Sequence, residues 1–186
     1  MADSNITKKA LAKALKELME EKSFEKINIG DICERCEMNR KSFYYHFKDK
    51  YDLVNWIFDM EFITVVHTHG HKNTWEMMKL VCEFFYENRN FYRKALSIKG
   101  QNSFSEHFRD ILFPLISNRF RETLDEKEVQ EFQVTFISDA IVMAFQRWIV
   151  ENKEMSPEEF VEQMKLSIKY ITIRYGDSVQ KDSDTR

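Results

Sequence analysis

Apolar positions recur at helical spacing along almost the whole chain. Leu11, Leu15, Leu18 and Met19 form one stripe with Lys8, Lys9, Lys13 and Lys16 off it, which predicts a first helix over residues 7–22. The pattern breaks at Lys22–Lys26. Asn28 then caps a short second helix with Asp31 in its first turn, running to Cys36. A tight break at Glu37-Met38 precedes Asn39, a second capping residue, and a short third helix, Arg40–Phe47. Asp49 caps a fourth, whose buried side is expected to carry Leu53, Trp56, Ile57 and Met60.

His67–Asn73, marked by Gly70, is expected to be a connection. Helical patterns resume over Trp75–Glu87, Phe91–Ile98 and Phe104–Thr123, the last with a kink expected at Pro114. A long helix follows over Lys127–Glu151. Ser156-Pro157-Glu158-Glu159 is a helix start with cap, first-turn proline and capping-box glutamate. That helix is expected to reach Tyr175, and residues 177–186 to form a flexible polar tail.

Composition narrows the classes. The 186 residues are 43% hydrophobic and 32% charged, enough apolar material for a core. Four Gly and two Pro are too few for a many-turned all-β fold. Neither glycine-rich phosphate-loop pattern is present, which excludes nucleotide enzymes of those two designs. The net charge is −3, but residues 1–50 carry 11 Lys/Arg against 9 Asp/Glu, and the rest of the chain is acidic. The basic end is the one suited to a polyanion. Met1–Asn5 lacks a secretory pattern, and the apolar run Ala140–Phe145 is too short to cross a bilayer. With 3 Cys and no disulfide framework, a cytoplasmic protein is expected, with no membrane partner.

Three short helices and a longer one within sixty residues suit a helix-turn-helix unit. At 100° per residue Phe43 and Phe47 share one face of the third helix, leaving Lys41, Ser42, Tyr44 and Tyr45 on the other, with Arg40 at its tip. Cations and phenols together make little sense against water alone, but they suit a groove floor between phosphates. Asn39, His46, Lys48 and Lys50 flank this face, and Lys50 stands where a helix start favours an anion.

The run Asn28-Ile29-Gly30-Asp31-Ile32-Cys33-Glu34-Arg35-Cys36-Glu37-Met38-Asn39-Arg40-Lys41-Ser42-Phe43-Tyr44-Tyr45-His46-Phe47-Lys48-Asp49-Lys50 resembles the DNA-binding signature of the TetR family of bacterial transcriptional regulators. The Phe-Tyr-Tyr-His-Phe segment with Lys50 and Leu53 is its most specific part, and the match spans residues 7 to about 60. The resemblance implies an all-α homodimer on a palindromic double-stranded DNA operator, with a C-terminal helical domain for dimerisation and for a small-molecule effector or protein co-regulator. Carried over by position, Arg40, Lys41, Ser42 and Tyr45 approach bases or nearby phosphates, while Tyr44, His46 and Lys50 hold the DNA backbone. Asn39 belongs to the same set. Two positions depart from the family pattern: Glu37 stands where a turn Gly is usual, and Cys36 where Ala is usual. Asp49–Phe58 and Gly100–Phe104 are also similar to regulators of dihydroxyacetone kinase operons within the family, which implies activation through a kinase-like protein partner.

Other motifs have plainer readings. Cys33 and Cys36 have metal or redox spacing but no second pair, so core packing is expected. His67, His69 and His71 could ligate a transition metal, yet no carboxylate lies among them. His107 is expected to be structural. The aromatic residues Phe84, Phe85, Tyr86, Phe91, Tyr92, Phe104, Phe108, Phe113 and Phe120 are either core or the lining of a ligand pocket, with Arg109 and Arg119 as candidates for an acidic ligand if they point inward. Phe132, Phe136, Ala140, Ala144 and Trp148, with Phe160, Met164, Ile168 and Ile171, form the expected dimer surface. No catalytic constellation and no resident metal or cofactor is expected.

The expected architecture is therefore residues 1–50 as a helix-turn-helix DNA-binding domain and 51–176 as a helical regulatory and dimerisation domain. The competing class is an all-α protein-interaction module, or an activator controlled by a kinase-like protein partner.

Overall fold

The computed structural model describes residues 2–69, 74–98, 104–123, 131–151 and 154–167. Among them the regular structure is helical throughout: α1 (Ala2–Glu21), a single 3-10 turn (Phe24–Lys26), α2 (Ile29–Arg35), α3 (Arg40–His46), α4 (Lys50–His69), α5 (Thr74–Glu87), α6 (Arg89–Leu96), α7 (Phe104–Thr123), α8 (Glu131–Glu151) and α9 (157–167). The all-α expectation holds. No helix of the described residues is long and apolar enough to cross a membrane.

The caps sit where the sequence places them. Asn28 Oδ1 accepts from the Asp31 N–H at 3.1 Å and the Asp31 carboxylate accepts from the Asn28 N–H at 3.0 Å, a reciprocal capping box. Asn39 Oδ1 accepts from the Ser42 N–H at 2.9 Å, and Asp49 Oδ1 from the N–H groups of Tyr51 and Asp52, both at 2.9 Å. Ser156 and Glu159 form a second capping box ahead of α9. Each satisfies backbone donors that a helix start otherwise leaves open.

Between α2 and α3 the chain turns through Glu37 at φ 55°, with Met38 N–H donating to Cys33 O at 2.8 Å and Glu37 N–H to Glu34 O at 3.2 Å. This is the left-handed helix stop that glycine normally supplies. The glutamate keeps the turn geometry at the cost of Cβ crowding.

Several expectations need correction. α1 begins at Ala2, five residues earlier than the apolar stripe shows. α4 runs on to His69 instead of giving way at His67, because its first helix-breaker is Gly70. The side chains of His67, His69, Arg119 and Phe120, and all of His71 and residues 168–186, lie outside what the structure describes. Met60 is 38% exposed while Phe58 and Phe62 are buried, so the inner face of α4 passes through those phenylalanines and Glu61. α7 spans Phe104–Thr123 as expected, with Pro114 inside it.

One continuous core joins both ends of the chain. Leu11, Leu15, Ile32, Phe43 and Leu53 belong to the same buried cluster as Phe85, Tyr92, Phe108 and Phe145. The Tyr92 hydroxyl donates to Glu61 Oε2 at 2.6 Å, Glu61 pairs with Lys16, and the Lys94 ammonium donates to the Met19 carbonyl. These contacts bind α1 to α4 and α6. Burial, and then the Glu61 carboxylate, push the Tyr92 phenol far above its ordinary range, so it stays a donor.

Glu37→Gly removes the left-handed strain without touching a core contact. It is expected to raise unfolding stability by about 1 kcal/mol. Urea denaturation measures this, and an unchanged or lower midpoint contradicts strain at that turn.

Candidate nucleic-acid interface

α3 has only seven residues and is too short to persist alone. Phe43, 0% exposed, and Phe47, 3% exposed, anchor it. Their rings lie 5.8 Å apart, Phe47 packs edge-on to Trp56 at 5.6 Å, and the Lys8 ammonium stands 5.7 Å from both the Phe47 and Trp56 rings. This fixes α3 against α1 and α4.

The opposite face is open. Tyr45 is 83% exposed and Tyr44 58%. Arg40 and Lys41 are exposed, while Ser42 and His46 are half-buried. Tyr44 leans edge-on against Phe43 at 5.6 Å, and Tyr45 against His46 at 4.9 Å. Asn39 is exposed, with its side-chain oxygen committed to the cap. The structure thus brings Asn39, Arg40, Lys41, Ser42, Tyr44, Tyr45 and His46 together around one short helix.

Lys50 does not join them. Its ammonium donates to the Phe24 and Ile27 carbonyls, both at 2.7 Å, and lies 4.4 Å from the Phe24 ring. Glu25 O is a third acceptor at 3.4 Å. Desolvation at this site lowers its pKa below the ordinary lysine value. In this arrangement Lys50 is a tether between the α1–α2 connection and the start of α4. The reason is geometric: the long stem reaches the Phe24 and Ile27 carbonyls, the first of which also accepts the Ile27 N–H of the 3-10 turn. Lys48, which directly follows Phe47, is exposed as Arg40 and Lys41 are.

The cysteines pack as expected. Cys33 is 3% exposed, Cys36 is half-buried with its thiol donating to Ile32 O at 3.2 Å, and burial pushes both thiols up. Among the described residues no group of His, Cys, Asp and Glu is arranged to hold a metal ion.

Among the helices from α4 to α8, Phe58, Phe85, Tyr92, Phe104, Phe108 and Phe145 are each at most 1% exposed. Phe85 alone lies 4.4 Å from Tyr92, 4.6 Å from Phe145 and 5.4 Å from Phe108. These rings are core. Arg109 faces the Asp139 carboxylate, and His107 meets Asp59 at 2.6 Å. The expected dimer surface splits in two. Phe132 (74%), Phe136 (63%), Ala140 and Ala144 are exposed on α8, and Met143 joins them. Trp148 and Phe160 turn inward instead and stack at 4.5 Å, because α9 folds back across the end of α8.

A buried-faced, outward-polar third helix after a tight turn defines a helix-turn-helix protein. Comparison with known proteins agrees. Residues 11–57 match "Bacterial regulatory proteins, tetR family", and residues 72–170 match "Transcriptional regulator C-terminal region". The chain belongs to the TetR family of bacterial transcriptional regulators, whose members bind DNA operators and usually act as dimers. It is 32% identical over 109 residues to the HTH-type dhaKLM operon transcriptional activator DhaS of Lactococcus lactis, across 58% of this chain. The match spans 57% of that relative's length. Its fold is similar to a solved dihydroxyacetone kinase operon activator DhaS, at TM-score 0.62 and 24% identity over 90% of this chain and 97% of that one. It is also similar to a TetR transcriptional regulator from Streptococcus agalactiae, at TM-score 0.69 and 20% identity over 87% and 93%.

Lys50→Met is expected to lower stability by about 1–2 kcal/mol through the lost charge-assisted bonds. The salt dependence of DNA affinity should stay as it is. Lys48→Met should do the reverse, lowering the slope of log K against log salt by about 1 with little change in stability. Denaturant melts and binding titrations across salt separate the two roles, and a slope altered by the Lys50 change returns Lys50 to the DNA.

Proposed function

We propose that residues 1–50 are a DNA-reading head and residues 51–176 a regulatory and dimerisation body, and that two copies bind a palindromic operator. One observation carries the reading of the head: within a single short helix Phe43 is fully buried and Tyr45 is 83% exposed. Arg40, Lys41, Ser42 and Tyr45 meet base edges or adjacent phosphates in the major groove. Asn39, Tyr44, His46 and Lys48 hold the DNA backbone. The two heads stand about 34–36 Å apart, one helical turn of DNA.

The exposed α8 face supports the dimer. Phe132 and Phe136 stack at 6.2 Å with no cover from the other described residues, and Ala140 and Ala144 allow a second helix to come close. The signal reaching the body is a second question. The tightly packed rings of α4 to α8 favour a protein co-regulator at the surface over a small molecule in the core. The likeness to a relative named as an operon activator supports activation as the output.

Lys41→Ala combined with Tyr45→Ala should weaken binding to a duplex selected from a random-sequence pool by roughly 100-fold, since each base contact is worth about 1–3 kcal/mol. Helicity and dimer mass should not change. Gel shift, circular dichroism and sedimentation measure these, and undiminished binding would favour a protein-interaction module.

Phe136→Lys places a charge on the apolar α8 face. Sedimentation should show monomers where the unsubstituted chain is dimeric, with operator binding weakened in parallel. A dimer that tolerates the lysine locates the interface elsewhere.

A further inference from the structure

Gly30 is the second residue of α2, and Arg40 is the first of α3. A Cβ built on Gly30 would stand 2.6 Å from Arg40 Nη2, 3.4 Å from Arg40 Cζ and 2.8 Å from Asn28 Oδ1. The first and last separations are closer than non-bonded atoms approach. The guanidinium therefore occupies volume that a side chain at position 30 would fill. One wall of this notch does not yield easily. Asn28 Oδ1 is pinned by the Asp31 N–H, and the Asn28 N–H is pinned by the Asp31 carboxylate. Any side chain at position 30 must displace Arg40 and crowd the cap of α2.

Arginine carries a rotamer-rich side chain, and ordering such a chain at an interface costs binding energy. A notch that selects its direction beforehand reduces that cost. Arg40 remains exposed on its outer side, so the guanidinium lies against α2 and still faces solvent. Nothing in the hydrophobic pattern demands glycine here: the φ of Gly30 is not in the left-handed region, and helix propensity disfavours it.

We propose that Gly30 is a positioning residue for DNA recognition: its missing side chain forms the notch that sets the direction of Arg40 from the tip of α3, and it tunes operator affinity through Arg40 alone. This rests on the reading of Arg40 as a DNA-facing residue.

The test is a double-mutant cycle of Gly30→Ala, Arg40→Ala and both together in the full-length chain. Each variant is titrated by fluorescence anisotropy against the duplex that the unsubstituted chain selects from a random pool, and each is melted by heat. Gly30→Ala should bind about fivefold more weakly than the unsubstituted chain. Arg40→Ala should bind about tenfold more weakly, and the double variant should match Arg40→Ala. Full affinity in Gly30→Ala overturns the proposal, and so does an equal further loss on adding Gly30→Ala to Arg40→Ala. Full affinity in Arg40→Ala instead removes the DNA-facing reading on which the proposal rests, which is a separate edge of the cycle. If Gly30→Ala melts lower through the cap contact, the same comparison is made in an Asn28→Ser background, where a shorter side chain still caps α2. The same fivefold loss relative to Asn28→Ser supports the notch, and no loss overturns it.

Discussion

Burial of Phe43 and Phe47 is the constraint on which the recognition surface depends. A helix of seven residues loses more in ordering than its own hydrogen bonds return. Two phenylalanines removed from water supply the difference, at about 1.5–3 kcal/mol each. Because they sit four residues apart they leave the outer side of α3 with no packing duty. Tyr45 can then be almost wholly exposed, and the cations need no partner within the chain. Lys8 over the Phe47 and Trp56 rings and Lys50 on the carbonyls of the Phe24–Lys26 turn complete the frame. Both lysines use their charge to hold backbone and rings in place.

The same frame ties the head to the body. Only three residues separate α3 from α4, and α4 continues without interruption from Lys50 past Glu61. Glu61 meets Lys16 of α1 and Tyr92 of α6, while Lys94 reaches the end of α1. Lys16 also lies 5.0 Å from the Phe91 ring. With the Tyr92 ring fully buried, a sliding motion of α6 or α4 has to carry α1 with it. Asp59 extends the linkage to His107 on α7. Mechanical continuity of this kind provides a route by which an event at the body can alter the angle of α3.

What the sequence made legible was local. Caps depend on residues three positions apart, so Asn28, Asn39, Asp49 and Ser156 could be placed before any packing was known. The two faces of α3 follow from 100° spacing alone. Directions of long side chains were not legible, because they depend on partners far away in the chain. Lys50 stood at a helix start beside other cations, and its turn toward carbonyls 23 and 26 residues earlier has no local signature. Glu61 was hidden the same way: its partners are Lys16 and Tyr92, and the charged letter concealed an inner position while Met60 beside it faces outward. Trp148 and Phe160 looked like surface residues only because α9 had not yet been folded across α8. The notch at Gly30 was invisible for the same reason, since its other wall comes from α3.

α8 shows why a helix can serve two cores. Val134, Ser138, Val142, Phe145 and Ile149 face inward, with the aromatic rings of α4 to α7 beyond. Phe132, Phe136, Ala140 and Met143 lie on the side that the described residues leave open. If a second copy covers this side, the separation of the two α3 helices is set by the body, since α8 shares one buried core with α4 and only three residues join α4 to α3. Spacing on DNA then becomes a property of residues far from the bases. A regulator built this way can change its operator fit without altering a single base-facing side chain, because tilting α4 by a few degrees moves both heads at once. The polar contacts at Glu61 are where that tilt would be resisted or released.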